Sequence, residues 1–195
     1  MYIMKKKVYW IRHGESTANI DEYLHMLYYN PELSQKGKGQ MASCGDRLFD
    51  KDIQVILCSP LKRSIESANI IKKQIISKGR NPPIIHIIDS IKESGIGLDN
   101  ICLNNQDSSL LSDIVRIIPT NFFYFFKKDF DEYISQYNNI LIVGHHNVNK
   151  SYIKKLTDIE ISMNNGDIYI LNIESDKITS LEDYSKKRIY IFNKK

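Results

Sequence analysis

No apolar run in this 195-residue chain approaches the roughly 20 residues that a membrane-spanning helix needs. The Lys5-Lys6-Lys7 cluster near the N-terminus is followed too soon by Arg12-His13 to flank a signal-peptide core. A cytoplasmic protein with no membrane partner is therefore expected. Cysteine is scarce: Cys44, Cys58 and Cys102 are an odd number without paired metal-ligand spacing. That excludes a disulfide framework and leaves reduced thiols acting as small apolar filler. Charge of one sign is also thin. The net charge of +4 and pI near 8.8 favour anionic ligands, but the chain lacks the dense Lys/Arg tracts of a nucleic-acid binder. No internal repeat, long linker or low-complexity tract interrupts it. With 42% hydrophobic and 26% charged residues, the composition is that of a globular protein with a full core, expected as one domain over 1–195.

Short β-branched and aromatic runs are present at Val8–Ile11, Val55–Cys58, Ile84–Ile88, Ile140–Val143 and Ile168–Ile173, with an edge strand expected at Arg188–Phe192. Helical patterns lie between them. Ser34 is placed to cap a helix running toward Phe49, its start weakened by Gly37 and Gly39. Leu61–Lys78 repeats apolar residues at helical spacing and stops at Gly79. Phe122–Gln136 and Asn147–Leu156 are two more, the Phe122–Phe126 cluster being read as core; Gly95–Ser109 is a loop placed to act as a substrate lid. Lys5–Lys7 is read as the solvated start of the first strand. The alternation predicts an α/β three-layer sandwich with a mostly parallel central sheet between helices.

In an open α/β sheet, ligands bind beyond the carboxyl ends of the strands. Arg12-His13-Gly14 follows the first strand and Ser59-Pro60-Leu61-Lys62-Arg63 the second. Glu93 comes shortly after the third, and Gly144-His145-His146 caps the fourth. The topology thus delivers ionisable groups from four strands to one edge. A neutral imidazole is a good nucleophile toward phosphorus. Two guanidinium groups, Arg12 and Arg63, match the equatorial oxygens of a phosphoryl group in transfer. His145 adds donors to the same oxygens. A protonated Glu93 serves a leaving alkoxide and later takes a proton from water. The scheme requires neither metal nor cofactor.

The blocks "RHGEST.N" (Arg12–Asn19), "LSQKGKGQ" (Leu33–Gln40), "SPLKRSIESA" (Ser59–Ala68), "IKESGIG" (Ile91–Gly97) and "VGHHNV" (Val143–Val148) stand in the order seen in the histidine phosphatase superfamily. The chain resembles that superfamily, which includes the phosphoglycerate mutases and many small phosphatases. The resemblance implies the phosphoglycerate mutase-like fold and His13 as the residue that forms a phosphohistidine. It implies that Arg12, Arg63 and His145 complete the phosphate pocket and that Glu93 is the proton donor. Gly14, Ser16, Asn19 and His146 are further expected phosphate or substrate contacts, and the Leu33–Gln40 block is read as structural. Two departures from the family pattern are His146, where a small residue is frequent, and Ser67, where threonine is common.

The leading expectation is a metal-independent phosphomonoesterase of the small phosphatase branch, acting on a phosphorylated metabolite or a phosphoprotein. A phosphoglycerate mutase is the first alternative. The interval from Glu93 to His145 is short, however, and holds only Arg116 of the cations such mutases carry there. A catalytically weak phospho-ligand binder or scaffold is the second, and it gains weight only if Glu93 is misplaced. Nothing in the residues specifies an oligomeric state.

Overall fold

The structure is a computed structural model and describes residues 5–20, 30–93 and 120–192. Its strands are β1 (Lys5–Arg12), β2 (Val55–Cys58), β3 (Ile84–Ile87), β4 (Asn139–Gly144), β5 (Ile168–Glu174), β6 (Lys177–Asp183) and β7 (Arg188–Ile191). They form one sheet in the order β3-β2-β4-β1-β5-β6-β7. The helices are α1 (Thr17–Ile20), α2 (Gln35–Leu48), α3 (Lys62–Ser77), α4 (Thr120–Gln136) and α5 (His146–Thr157). No described helix is long and apolar enough to cross a membrane.

Side chains of β1 alternate between the two faces of the sheet. Tyr9 and Ile11 join Ile56, Cys58, Leu141 and Val143 under Met41, Leu48, Ile71 and Ile75 from α2 and α3. Val8 and Trp10 join Val55, Leu57, Ile140 and Ile142 against Phe126, Phe130, Tyr152 and Ile153 from α4 and α5. A sheet covered on both faces needs strands that are apolar throughout, and β2 (Val-Ile-Leu-Cys) is buried at every position. This is the three-layer α/β arrangement expected.

β3, β2, β4 and β1 pair in parallel, as predicted. The remaining three strands run antiparallel. β6 had no counterpart among the expected strands. Its sequence, Lys-Ile-Thr-Ser-Leu-Glu-Asp, buries only Leu181 and Asp183, so it shows little apolar alternation. The hairpin into it turns at Ser175 and Asp176, both at positive φ, without the Asn-Gly signal that usually marks such a turn.

Two other expectations change in detail. Lys5–Lys7 belongs to β1, and the Lys6 side chain is buried with its ammonium 3.3 Å from Asp176. β1 lies between β4 and β5, so alternate positions face inward even in its first turn of pleat. In the aromatic cluster, Phe126 is buried whereas Tyr124 and Phe125 are exposed, because the helical period turns them outward. The expected lid, Gly95–Ser109, lies outside the described residues.

Ser34 caps α2, accepting from the Gly37 N–H at 3.0 Å. The two glycines of that helix have unlike roles. A Cβ on Gly37 would stand 2.0 Å from the Glu15 carbonyl oxygen, whereas one on Gly39 would meet nothing within 4 Å. Gly39→Ala should therefore stabilise the protein by about 0.5–1 kcal/mol. Gly37→Ala should cost about 1–3 kcal/mol through overpacking. Denaturant melts of the two variants check both signs.

Candidate active site

Register explains how the site assembles. Arg12 lies opposite Gly144 in the β1–β4 pair, and Cys58 lies opposite Val143 in the β2–β4 pair. The residues that follow, His13, Ser59 and His145, therefore leave the sheet at one edge. Arg63 sits in the first turn of α3, directly after β2. Glu93 follows the 3₁₀ turn Asp89–Ile91 that succeeds β3. Strand ends, not sequence proximity, bring these groups together.

Arg63 is the hub. Its Nε donates to His13 Nε2 at 3.1 Å, and its Nη2 donates to Glu93 Oε2 at 2.8 Å and to His145 Nδ1 at 3.2 Å. The two imidazoles meet edge to face, with ring centroids 5.0 Å apart. His13 Nδ1 lies 2.7 Å from the Gly14 carbonyl oxygen. A carbonyl only accepts, so the partners assign the proton to Nδ1 and the lone pair to Nε2. His145 has the opposite tautomer: Nδ1 accepts from Arg63, and Nε2 donates to Ser59 Oγ at 2.8 Å, with Ser64 Oγ at 3.4 Å. Glu93 Oε2 stands 3.4 Å from His145 Nδ1.

Burial sets the charges. His13 is 3% exposed and His145 fully buried. Desolvation first, then the neighbouring Arg63, pulls the His13 pKa down to about 3, against the upward pull of the Gly14 carbonyl. His145 is held well below its ordinary value by desolvation, then by His13 and Arg63. Both rings are therefore neutral near pH 7, which leaves His13 Nε2 nucleophilic. Desolvation also lowers the pKa of Arg12, yet a guanidinium starts so high that it stays charged. Arg12 Nη1 donates to the Met163 carbonyl at 3.1 Å, while its buried Nε has no hydrogen-bond partner among the described residues.

His13, Arg12, Arg63, His145 and Glu93 thus meet, while the other expected contacts serve differently. The Gly14 N–H is engaged by Ser67 Oγ at 3.2 Å, and Gly14 is required sterically, because a Cβ there would lie 2.4 Å from the Gly37 carbonyl oxygen. Ser16 donates through both N–H and Oγ to Asn19 Oδ1, so these two residues bind each other at the start of α1. His146 Nδ1 donates to the Met163 carbonyl, the acceptor that Arg12 also uses.

Met163, Asn165 and Gly166 were not anticipated. The Gly166 N–H donates to the Arg12 carbonyl at 3.2 Å and Asn165 Nδ2 to the His13 carbonyl at 2.8 Å. The Asn164-Asn165-Gly166 turn signal ahead of β5 was readable, but its contact with residues 150 positions earlier was not.

The arrangement sets a lone-pair imidazole beside guanidinium groups and a carboxyl at one edge of an α/β sheet. Residues 8–88, which carry Arg12, His13 and Arg63, match the model of the histidine phosphatase superfamily (branch 1). An adenosylcobalamin/alpha-ribazole phosphatase from Escherichia coli is 28% identical over 167 residues, covering 77% of this chain and 78% of its own length. Its counterpart from Salmonella typhimurium is 26% identical over 166 residues, covering 77% and 79%. Among solved structures, the alpha-ribazole phosphatase from Shigella flexneri superposes with a TM-score of 0.70 at 24% identity over 96% of this chain and all of that one. A phosphoglycerate mutase from Bacillus anthracis gives 0.66 at 15% identity over 91% and 92%. At such identities the structural likeness speaks for the fold alone.

The buried neutral histidines have a consequence for stability. In the unfolded chain both titrate near 6.5. Between that value and their depressed folded values the unfolded state binds more protons, so acidification below about pH 6.5 destabilises the fold. Each contributes a slope of up to about 1.4 kcal/mol per pH unit. His145→Gln should flatten the dependence of unfolding free energy on pH between 6.5 and 5. A slope identical to that of the unaltered protein would contradict the neutral buried state.

Proposed function

We propose that this protein is a phosphomonoesterase that works through a phosphohistidine on His13, with Arg12, Arg63 and His145 binding the phosphoryl oxygens and Glu93 as proton donor. The observation that carries this reading is the hydrogen bond from Arg63 Nε to His13 Nε2 at 3.1 Å. It marks the lone pair and sets a cation beside it, where a phosphoryl group would lie.

In the first step a phosphate monoanion draws the Arg63 donors onto its oxygens, frees the lone pair and passes its proton to the displaced Glu93 carboxylate. His13 Nε2 forms a bond to phosphorus as the ester oxygen departs, taking the proton of the Glu93 carboxyl. In the second step the Glu93 carboxylate takes a proton from water, the resulting hydroxide bonds to phosphorus, and the P–N bond breaks. Inorganic phosphate leaves with the Glu93 proton, and His13 and Glu93 return to their starting states. Arg12 and Arg63 carry the developing charge, so the scheme needs no metal ion.

The position of Glu93, 2.8 Å from Arg63 Nη2, favours a catalyst over a passive phospho-ligand binder. The names of the relatives favour a small phosphorylated metabolite as substrate, and alpha-ribazole 5′-phosphate is the first compound to test. Arg116, on which the comparison with a mutase turned, lies outside the described residues.

Phosphate release from p-nitrophenyl phosphate and from alpha-ribazole 5′-phosphate, measured with a chelator present, tests the scheme. A 3-phosphoglycerate isomerisation assay beside it would expose a mutase. His13→Ala should lose at least about a thousandfold in kcat. Glu93→Gln should lose about a hundredfold or more on the alkyl ester but far less on the nitrophenyl ester, whose leaving group needs no proton. Equal losses on both esters would remove Glu93 from the acid role.

A further inference from the structure

We propose that Gln40 is a positioning residue for the nucleophile, holding His13 through a single peptide plane in the tautomer that carries its lone pair on Nε2. The inference deepens the reading of His13 as nucleophile and rests on it. It also gives a role to the Leu33–Gln40 block that sequence analysis had left as structural.

The His13 ring is oriented by its Nδ1–H, which donates to the Gly14 carbonyl oxygen at 2.7 Å. That carbonyl and the Glu15 N–H belong to the same planar peptide and point in opposite directions. Fixing one fixes the other. The Glu15 N–H donates to Gln40 Oε1 at 2.8 Å, from half-buried Gln40 within α2, 25 residues along the chain. Because the Glu15 nitrogen can only donate, the chemistry itself assigns the Gln40 oxygen to this contact. The N-cap of α2 secures the next peptide, the Ser34 N–H donating to the Glu15 carbonyl at 2.9 Å. Gly37 permits the backbones to approach, since any side chain there would strike Glu15.

Without an acceptor at Gln40, the Glu15 N–H seeks another partner and the plane can rotate. The Gly14 carbonyl then leaves His13 Nδ1. Once a phosphoryl group has drawn the Arg63 Nε–H away, a neutral imidazole that has lost this acceptor can place its proton on Nε2 instead, and in that tautomer the nitrogen facing the phosphoryl site has no lone pair to give. Gln40 touches neither the ring nor the phosphoryl site, so its effect falls on turnover more than on binding.

The test compares Gln40→Leu, which removes the acceptor, with Gln40→Glu, which keeps one. Histidine-selective ¹⁵N NMR of the protein saturated with inorganic phosphate, which draws the Arg63 donors off Nε2, reads the ring directly. The unaltered protein and Gln40→Glu should show His13 Nε2 as an unprotonated nitrogen, and Gln40→Leu should show a mixture of tautomers. In steady state, Gln40→Leu should lose about tenfold in kcat with less than a twofold change in KM, and Gln40→Glu should stay within twofold in both. If Gln40→Leu melts below the assay temperature, Gln40→Met replaces it for the same two readings. An unchanged His13 spectrum in the variant without an acceptor overturns the proposal, as does equal impairment of Gln40→Glu. The spectrum reads the ring whether or not substrate turns over. Activity surviving His13→Ala would instead overturn the assignment of the nucleophile.

Discussion

The guanidinium of Arg63, 5% exposed, sits between two neutral imidazoles and a carboxylate, and the remainder of the site is arranged around it. Burying a cation is costly unless partners satisfy it. Glu93 supplies the opposite charge at 2.8 Å, and His13 and His145 supply lone pairs. Burial first, and then the same cation, keeps both rings unprotonated, because an imidazolium there would be desolvated and beside a like charge. One interaction thus does three things. It satisfies a buried charge, helps keep the His13 ring unprotonated, and sets a forked donor beside its lone pair.

For this to work the backbone carrying His13 must be rigid, and three successive peptides there are held at both ends. The His13 N–H donates to the Gly144 carbonyl while the Arg12 carbonyl accepts from the Gly166 N–H. The Gly14 N–H goes to Ser67 while the His13 carbonyl accepts from Asn165. The Glu15 N–H goes to Gln40 while the Gly14 carbonyl accepts from the His13 ring. The partners come from β4, α3, α2 and the turn before β5, so each surrounding layer grips the loop. Ser67 also donates to the Arg63 carbonyl at 2.7 Å, which ties the loop that carries His13 to the helix that carries the hub. Arg47 on α2 reaches the Gly166 carbonyl at 2.9 Å and secures that turn from behind.

Much of this was legible in the residues because burial on both sheet faces leaves an unmistakable imprint. β2 and β4 are apolar at almost every position, and strands of that kind end where charged groups begin. The logic of carboxyl strand ends therefore located Arg12, His13, Arg63, Glu93 and His145 on one edge. What stayed hidden was of another kind. β6 lies toward the open margin of the sheet and buries little, so its pattern was polar. Lys6 looked solvated because its charge was visible and its neighbours β4 and β5 were not. Gly14, Ser16, Asn19 and His146 sit beside the site, yet their polar groups are committed to local partners, which only three-dimensional hydrogen-bond accounting shows. Gln40 and Asn165 act on backbone atoms distant in sequence, and side-chain identity carries no mark of that.

The central claim is that a covalent bond forms between phosphorus and His13 Nε2. Rapid acid-free quenching of the protein with ³²P-labelled substrate, followed by peptide mapping, tests it most directly. The account predicts label on the peptide that contains His13, stable in base and lost in mild acid, as a phosphoramidate is. Turnover with no label trapped on any time scale, or label that survives acid on a serine, would contradict it.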